Sequence, residues 1–275
     1  GAYGLYPVGS KNVLIDGCVA IAASDAGIYV GQSEAIIIRN SIAMDNVAGF
    51  EVENSYYADV YDNTAVNNTG GFLVFDLPNL PQQGGHSIRV FNNVSVNNNT
   101  PNFAPEGNIV ATVPQGLGIM VMANRNVEIF NNVVDGNQSV GLLINTYPQE
   151  YDDPEYNPHP RAIHVHDNRF GDNGYDPKDE LAAQAGRFIE GPLADIVWDG
   201  VLPAVYPRGN VPAEDWIYIH NNDGADFIDL DFDSLAVADV TGMPPVVQPT
   251  RSLKPHRGSL PPVTPVRLEF DEKSD

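Results

Sequence analysis

Glycine followed by three strand-forming residues recurs along the first half of the chain. The units are Gly4-Leu5-Tyr6-Pro7, Gly27-Ile28-Tyr29-Val30, Gly49-Phe50-Glu51-Val52, Gly71-Phe72-Leu73-Val74, Gly118-Ile119-Met120-Val121 and Gly141-Leu142-Leu143-Ile144. The steps between them are 23, 22, 22, 47 and 23 residues, the long step being one unit that carries insertions. Each unit continues with a second apolar run, such as Ala35-Ile36-Ile37-Ile38 or Val127-Glu128-Ile129-Phe130. An asparagine comes next, read at Asn40, Asn63, Asn93, Asn132 and Asn168, and then a short third run such as Ser41-Ile42-Ala43-Met44.

Runs rich in Val and Ile with alternating sides suit pleated, half-buried strands. The gaps between them are too short for crossover helices, which rules against a doubly wound α/β sheet. Parallel strands must then connect by turning a coil, and residues about 22 places apart become vertical neighbours. Asparagine tolerates the left-handed backbone of a tight bend, and its amide can bond to the same amide one coil away. The predicted fold is all-β: a right-handed, single-stranded parallel β-helix with inserted loops and an irregular, Pro-rich C-terminal tail. Coils are expected over 1–174, a terminal coil and cap with a short helix over 175–242, and an extended tail over 243–275.

The cap helix is expected to start at Asp176 and Pro177 and run through Leu181, Ala182, Ala185 and Phe188. Strands around Ile196-Val197-Trp198 and Trp216-Ile217-Tyr218-Ile219 add a last coil. Seven prolines between Pro244 and Pro265 prevent that stretch from packing as a sheet centre, so it lies along the solenoid or binds another chain. The chain opens inside a coil at Gly1-Ala2-Tyr3-Gly4, and a missing N-terminal segment or a partner is expected to cap that edge.

Insertions fall at Leu77–Ser87, Asn98–Gln115 and Thr146–Pro160, and stacking should gather all three around the face of the first strands. Alternation places Tyr6, Tyr29, Glu51, Glu53, Leu73, Phe75, Met120, Met122, Leu143 and Asn145 on the outward side of that face. The second half of the set is apolar, so inserted loops are expected to fold over it, or a partner to dock there.

Composition narrows the partners. Thirty-six acidic and 14 basic side chains give a net charge of −22. That balance argues against nucleic acid and against anionic membrane surfaces. No apolar run approaches the ~20 residues needed to span a membrane as a helix. Cys18 is the one cysteine, so there is no internal disulfide framework, and its place in the third run of the first coil reads as a structural thiol. The four Asn-x-Ser/Thr matches, at Asn67, Asn93, Asn98 and Asn137, are the chance product of asparagine-rich turns.

Three sets of residues carry candidate chemistry. Tyr6, Tyr29, Glu51 and Glu53, with His86 at the edge of the first insertion, are candidates for gripping sugar rings. Glu51 and Glu53 stand roughly 6.6 Å apart along one strand, a separation at which carboxyls can divide acid and base roles. Tyr151, Asp153, His159 and Arg161 combine a base, an acid and a cation, as a lyase or epimerase of uronic acids requires. His164 and His166 share one side of a strand and can ligate a metal. Asp229, Asp231 and Asp233 alternate with Ile228, Leu230 and Phe232, and read as a solvated outer face or as a cation site, with calcium the ion such oxygens prefer.

The stretches Gly1-Ala2-Tyr3-Gly4-Leu5-Tyr6-Pro7, Ala23 to Ser33, Gly71 to Pro81, Asn102 to Asn108 and Gly118 to Met122 resemble an exported bacterial family of parallel β-helix repeat proteins. The resemblance covers most of residues 1–145. It implies further N-terminal coils behind a signal or lipoprotein peptide, an exported location (periplasmic, lipoprotein-anchored or extracellular), and a frequent pairing with a c-type cytochrome-like protein. It carries over no catalytic residue. The coils are more distantly similar to carbohydrate-active β-helix proteins, a likeness of fold. Two functions follow as expectations: an exported protein that binds or processes a polysaccharide, or a non-catalytic scaffold that docks an exported partner.

Overall fold

The computed structural model describes residues 1–178, 185–189, 192–203, 210–234 and 246–269. Its strands form three sheets in which every strand pair is parallel, and the chain climbs through them coil by coil as a right-handed parallel β-helix. The first sheet stacks Ala26–Gly31, Ala48–Glu53, Gly70–Phe75, Leu117–Met122, Val140–Asn145, Ile196–Trp198 and Phe227–Asp229. The second stacks Lys11–Asp16, Glu34–Arg39, Tyr56–Tyr61, His86–Phe91, Arg125–Phe130, Arg161–His166 and Ile217–His220. The third holds six short strands from Val19–Ile21 to Arg169–Phe170.

In-register pairing turns the alternation of each strand into columns. Ile28, Phe50, Phe72, Ile119, Leu142, Ile196 and Phe227 stand one above another inside the first sheet. Ile36, Ala58, Ile88, Val127, Ile163 and Ile217 do the same inside the second. These residues form one continuous dry core, within which Phe50 and Phe72 stack with ring centroids 4.7 Å apart. The repeating glycine is a matter of space: a Cβ on Gly71 would meet the Gly118 carbonyl oxygen at 2.4 Å, and one on Gly118 would meet that of Gly141 at 2.4 Å.

Two asparagine ladders run through the corners. In one, Asn63, Asn93, Asn132 and Asn168 each donate from Nδ2 to the Oδ1 of the next, ending at Asn222, at 2.9 to 3.1 Å. Asn40 is not a member. It sits one residue earlier, at a left-handed corner (φ 53°) shared by Asp62, Asn92, Asn131 and Asp167, while Ser41 takes the ladder place and donates its N–H to Asn63 Oδ1. Cys18 occupies the matching place in the first coil, half-buried, with its N–H on Ser41 Oγ. A second ladder joins Asn46, Asn68, Asn98, Asn137 and Asn173 in the same way, each Nδ2 donating to the next Oδ1 up to Asn173.

The tail lies along the solenoid, on the outside of the second sheet. The His256 ring bonds the Ile217 carbonyl, then Val263 N–H donates to Glu128 Oε2, Val266 N–H to Asp59 Oδ2 and Glu269 N–H to Asn12 Oδ1. It therefore runs from the last coil back to the first. Of the expected cap helix, Leu181 and Ala182 lie outside the described residues, while Ala185 to Ile189 form a turn closed by the Phe188 and Ile189 N–H groups on the Ala185 carbonyl. Pro244 is likewise outside the described residues. No helix among the described residues is long and apolar enough to cross a membrane.

Candidate functional site

The three insertions meet over the first sheet. Asp153, in the third, draws the first insertion toward it by accepting from the Asn79 N–H (2.8 Å) and from Gln83 Nε2. Tyr156 donates its hydroxyl to the Asp76 carbonyl at 2.7 Å. Val110 and Val113 of the second insertion pack with Leu73, Met120, Leu143 and Tyr156 in a second apolar cluster outside the sheet. Loop cover, expected from the apolar outward positions, is what the structure shows: Leu73, Met120, Met122 and Leu143 are all buried.

The loops leave a groove of about 520 Å³. Its floor is Leu73, Phe75, Met120, Met122 and Leu143, and Val110, Val113 and Tyr147 wall it. Asp25, Glu51, Glu53 and Tyr3 line it as well, as does Asp199. No Lys, Arg or His is among the described residues that line it.

The groove carboxyls are held in an unusual state. Burial pushes Glu51 well above the ordinary carboxylate range, and the nearby charges of Asp25 and Glu53 push the same way. No hydrogen bond to the protein offsets this among the described residues. Burial also raises Glu53, partly countered by the Tyr29 hydroxyl, which donates to its Oε1 at 2.8 Å. Asp25 is raised by burial as well. Asp199 is pushed up to about 7 by burial, although Thr146 N–H and Val201 N–H both donate to it. A carboxyl kept protonated near neutral pH can donate a proton or a hydrogen bond that a carboxylate cannot.

The other candidates fall in several places. Tyr29 is buried behind Glu53, while Tyr6 stays half-exposed and stacks on it with centroids 4.6 Å apart. His86 belongs to the second sheet, where its ring stacks on Tyr56 at 4.6 Å, and it does not line the groove. Tyr151 packs edge-on against Tyr147 and Tyr156. Asp153 holds loops together and is drawn below the usual carboxylate range by its hydrogen bonds, first that from Asn79. His159 is driven down to about 4 by burial and by the charge of Arg161. Arg161 lines a separate cavity with Asp215 and Trp216. None of the four residues read as a lyase set lines the groove: Tyr151 and Asp153 pack the inserted loops, His159 is buried, and Arg161 lines the second cavity.

Asp229, Asp231 and Asp233 do not form the solvated face expected of them. Asp229 is 1% exposed, Asp231 takes a left-handed φ of 57° just past the strand end, and Asp233 accepts from the Leu202 N–H. Their carboxylates bond the backbone of the terminal coil, as where Asp229 Oδ1 accepts from the Asp231 N–H and Asp231 Oδ2 from the Gln248 N–H. The group close enough to share an ion among the described residues is a different one: Glu128, His164 and His166.

Comparison with known proteins agrees with the architecture. A family model described as a right handed beta helix region matches residues 1–79. No curated protein and no solved structure matches the chain. Fold and match together define a right-handed parallel β-helix protein, and the chemistry of its groove has to be argued from the groove itself.

Proposed function

We propose that the loop-walled groove binds a segment of a neutral or amino-bearing polysaccharide outside the cytoplasm. The observation that supports this is the lining: an apolar floor together with Asp25, Glu51 and Glu53, and no basic side chain among the described residues. A sugar ring offers C–H surface to Leu, Met and Tyr side chains and hydroxyl or ammonium groups to carboxyls. A uronate chain would bury its own carboxylates in this groove with no basic side chain among the described lining residues to neutralise them, so the lyase or epimerase reading loses its support. Processing of the bound chain rests on Glu51, whose raised pKa suits a general acid toward a glycosidic oxygen.

Calorimetry with neutral, amino-sugar and polyuronate oligosaccharides tests the reading. Binding is expected for the first two, with loss in Met120→Trp, which fills the groove. Preferential binding of polyuronates, or unchanged binding by Met120→Trp, overturns it.

A second reading is favoured by the first coil. Val8, Leu14, Val19 and Ile21 are 39, 44, 60 and 58% exposed there, with Leu14 on the outside of the second sheet and Val19 and Ile21 on that of the third, apolar surface that an exported partner such as a cytochrome would cover. Retention of that partner by an Ile21→Asp variant of the exported protein would remove this reading.

A further inference from the structure

A set of metal-ligating side chains lies outside the second sheet, on a different face from the groove. The register of that sheet puts Glu128 beside His164, and His166 beside His220, on successive coils. Neighbouring strands are about 4.8 Å apart, so side chains from adjacent coils converge. One ligand atom from each of Glu128, His164 and His166 lies within 4.8 Å of the others. His166 Nε2 is 3.2 Å from Glu128 Oε1, and His164 Nε2 is 2.9 Å from His220 Nε2. Ligand atoms around a tetrahedral zinc ion, with bonds of about 2.0–2.1 Å, stand about 3.3 Å apart, so small side-chain shifts suffice.

The surroundings match what a metal site needs. Asp167 Oδ2 lies 2.8 Å from His166 Nδ1, and a carboxylate there fixes the tautomer that leaves Nε2 as the ligand atom. With Nδ1 carrying the proton, Nε2 faces Glu128 Oε1 lone pair to lone pair, a contact that a proton or a cation must bridge. His164 is 6% exposed and its Nδ1 has no hydrogen-bond partner, so in either tautomer one of its nitrogens is unsatisfied. A buried imidazole with one ring nitrogen unpaired is costly in a purely structural role.

The Pro-rich tail closes the site. Gly258 lies against the Tyr218 ring, and Val263 N–H donates to Glu128 Oε2 at 3.1 Å. His164 stands between Glu128 and Tyr218 in the sheet, so the tail passes over it.

We propose that His164, His166 and Glu128, with His220 as fourth donor, form a site for a divalent transition metal of the zinc class, seated beneath the C-terminal tail. The mixed imidazole and carboxylate donors select such ions over calcium or magnesium, which prefer all-oxygen shells. Because Glu128 also holds Val263, a bound ion fastens the tail to the sheet.

The full chain, prepared without a histidine tag and stripped with chelator, is titrated with Zn²⁺ by calorimetry and with Co²⁺ by visible absorption. One equivalent is expected to bind, with the intense d–d bands of a four-coordinate Co²⁺ site. His166→Gln and Glu128→Gln, each checked for native circular dichroism, are expected to weaken binding by at least about tenfold, the loss that even an outer-shell partner can cause. His86→Gln, remote from the cluster, should bind as the parent does. Zn²⁺ should also slow amide exchange at Val263. Absence of stoichiometric binding in the parent, or equal affinity in the His166 and Glu128 variants, overturns the assignment and leaves the histidines as packing for the ring stack.

Discussion

Glu51 shows how much one side chain's meaning depends on what covers it. Alternation along Gly49-Phe50-Glu51-Val52 is enough to turn it outward, yet its burial comes from loops that begin dozens of residues away. Its folded pKa lies above the usual carboxylate value, so the folded state binds the proton more tightly than the unfolded state does. That stabilising contribution is complete below the unfolded value near 4.3 and is lost as pH rises through the folded value. Glu51→Gln removes the titration, and its thermal midpoint is therefore expected to exceed the parent's at pH 8 by more than at pH 5. Equal differences at both pH values would show that the carboxyl is not desolvated. Asn40 carries the opposite lesson. Corner and ladder positions are adjacent and both favour asparagine, as in the doublets Asn92-Asn93 and Asn131-Asn132. In the second coil only the corner is asparagine, so the sequence aligned Asn40 where Ser41 belongs.

At the level of strands and corners, most of the architecture was legible because each unit repeats the same packing problem. The second ladder was legible too, as an asparagine five places after the first in Asn63 and Asn68, Asn93 and Asn98, Asn132 and Asn137, and Asn168 and Asn173. It was missed because asparagine-rich turns hide a second register. Its contribution is measurable. Asn98→Ala leaves Asn68 N–H and one Asn68 Nδ2 hydrogen without the Oδ1 they share. Two buried donors left unpaired cost about 3 kcal/mol together, read as a lower denaturation midpoint, and a shift under about 0.5 kcal/mol would refute the ladder's role. The alternation that predicted a solvated Asp229 failed for a physical reason: Asp229 ends the last described strand of the first sheet, where its carboxylate turns back to accept from the Asp231 N–H. The groove's composition was readable, whereas the tying of Asp153 to Asn79 and Gln83 depends on contacts 74 and 70 residues apart and leaves no local signal.

Across the whole molecule, a solenoid is quasi-one-dimensional, since each coil touches only the next. The tail breaks that rule, reaching from Ile217 to Asn12 in a segment 257 residues removed from its last contact. Val263→Pro with Val266→Pro removes the two N–H donors to Glu128 and Asp59 while keeping an extended backbone. Denaturant unfolding is expected to broaden in that variant, with the coils at the two ends melting apart, and an unchanged slope would show that the tail adds nothing to cooperativity. The same feature has a kinetic side. Ends that are strapped together cannot fray independently, so erosion from either terminus must first peel a strap whose anchors are spaced along nearly the full height of the stack, and the lifetime of the native state is set by that peeling and not by its weakest rung.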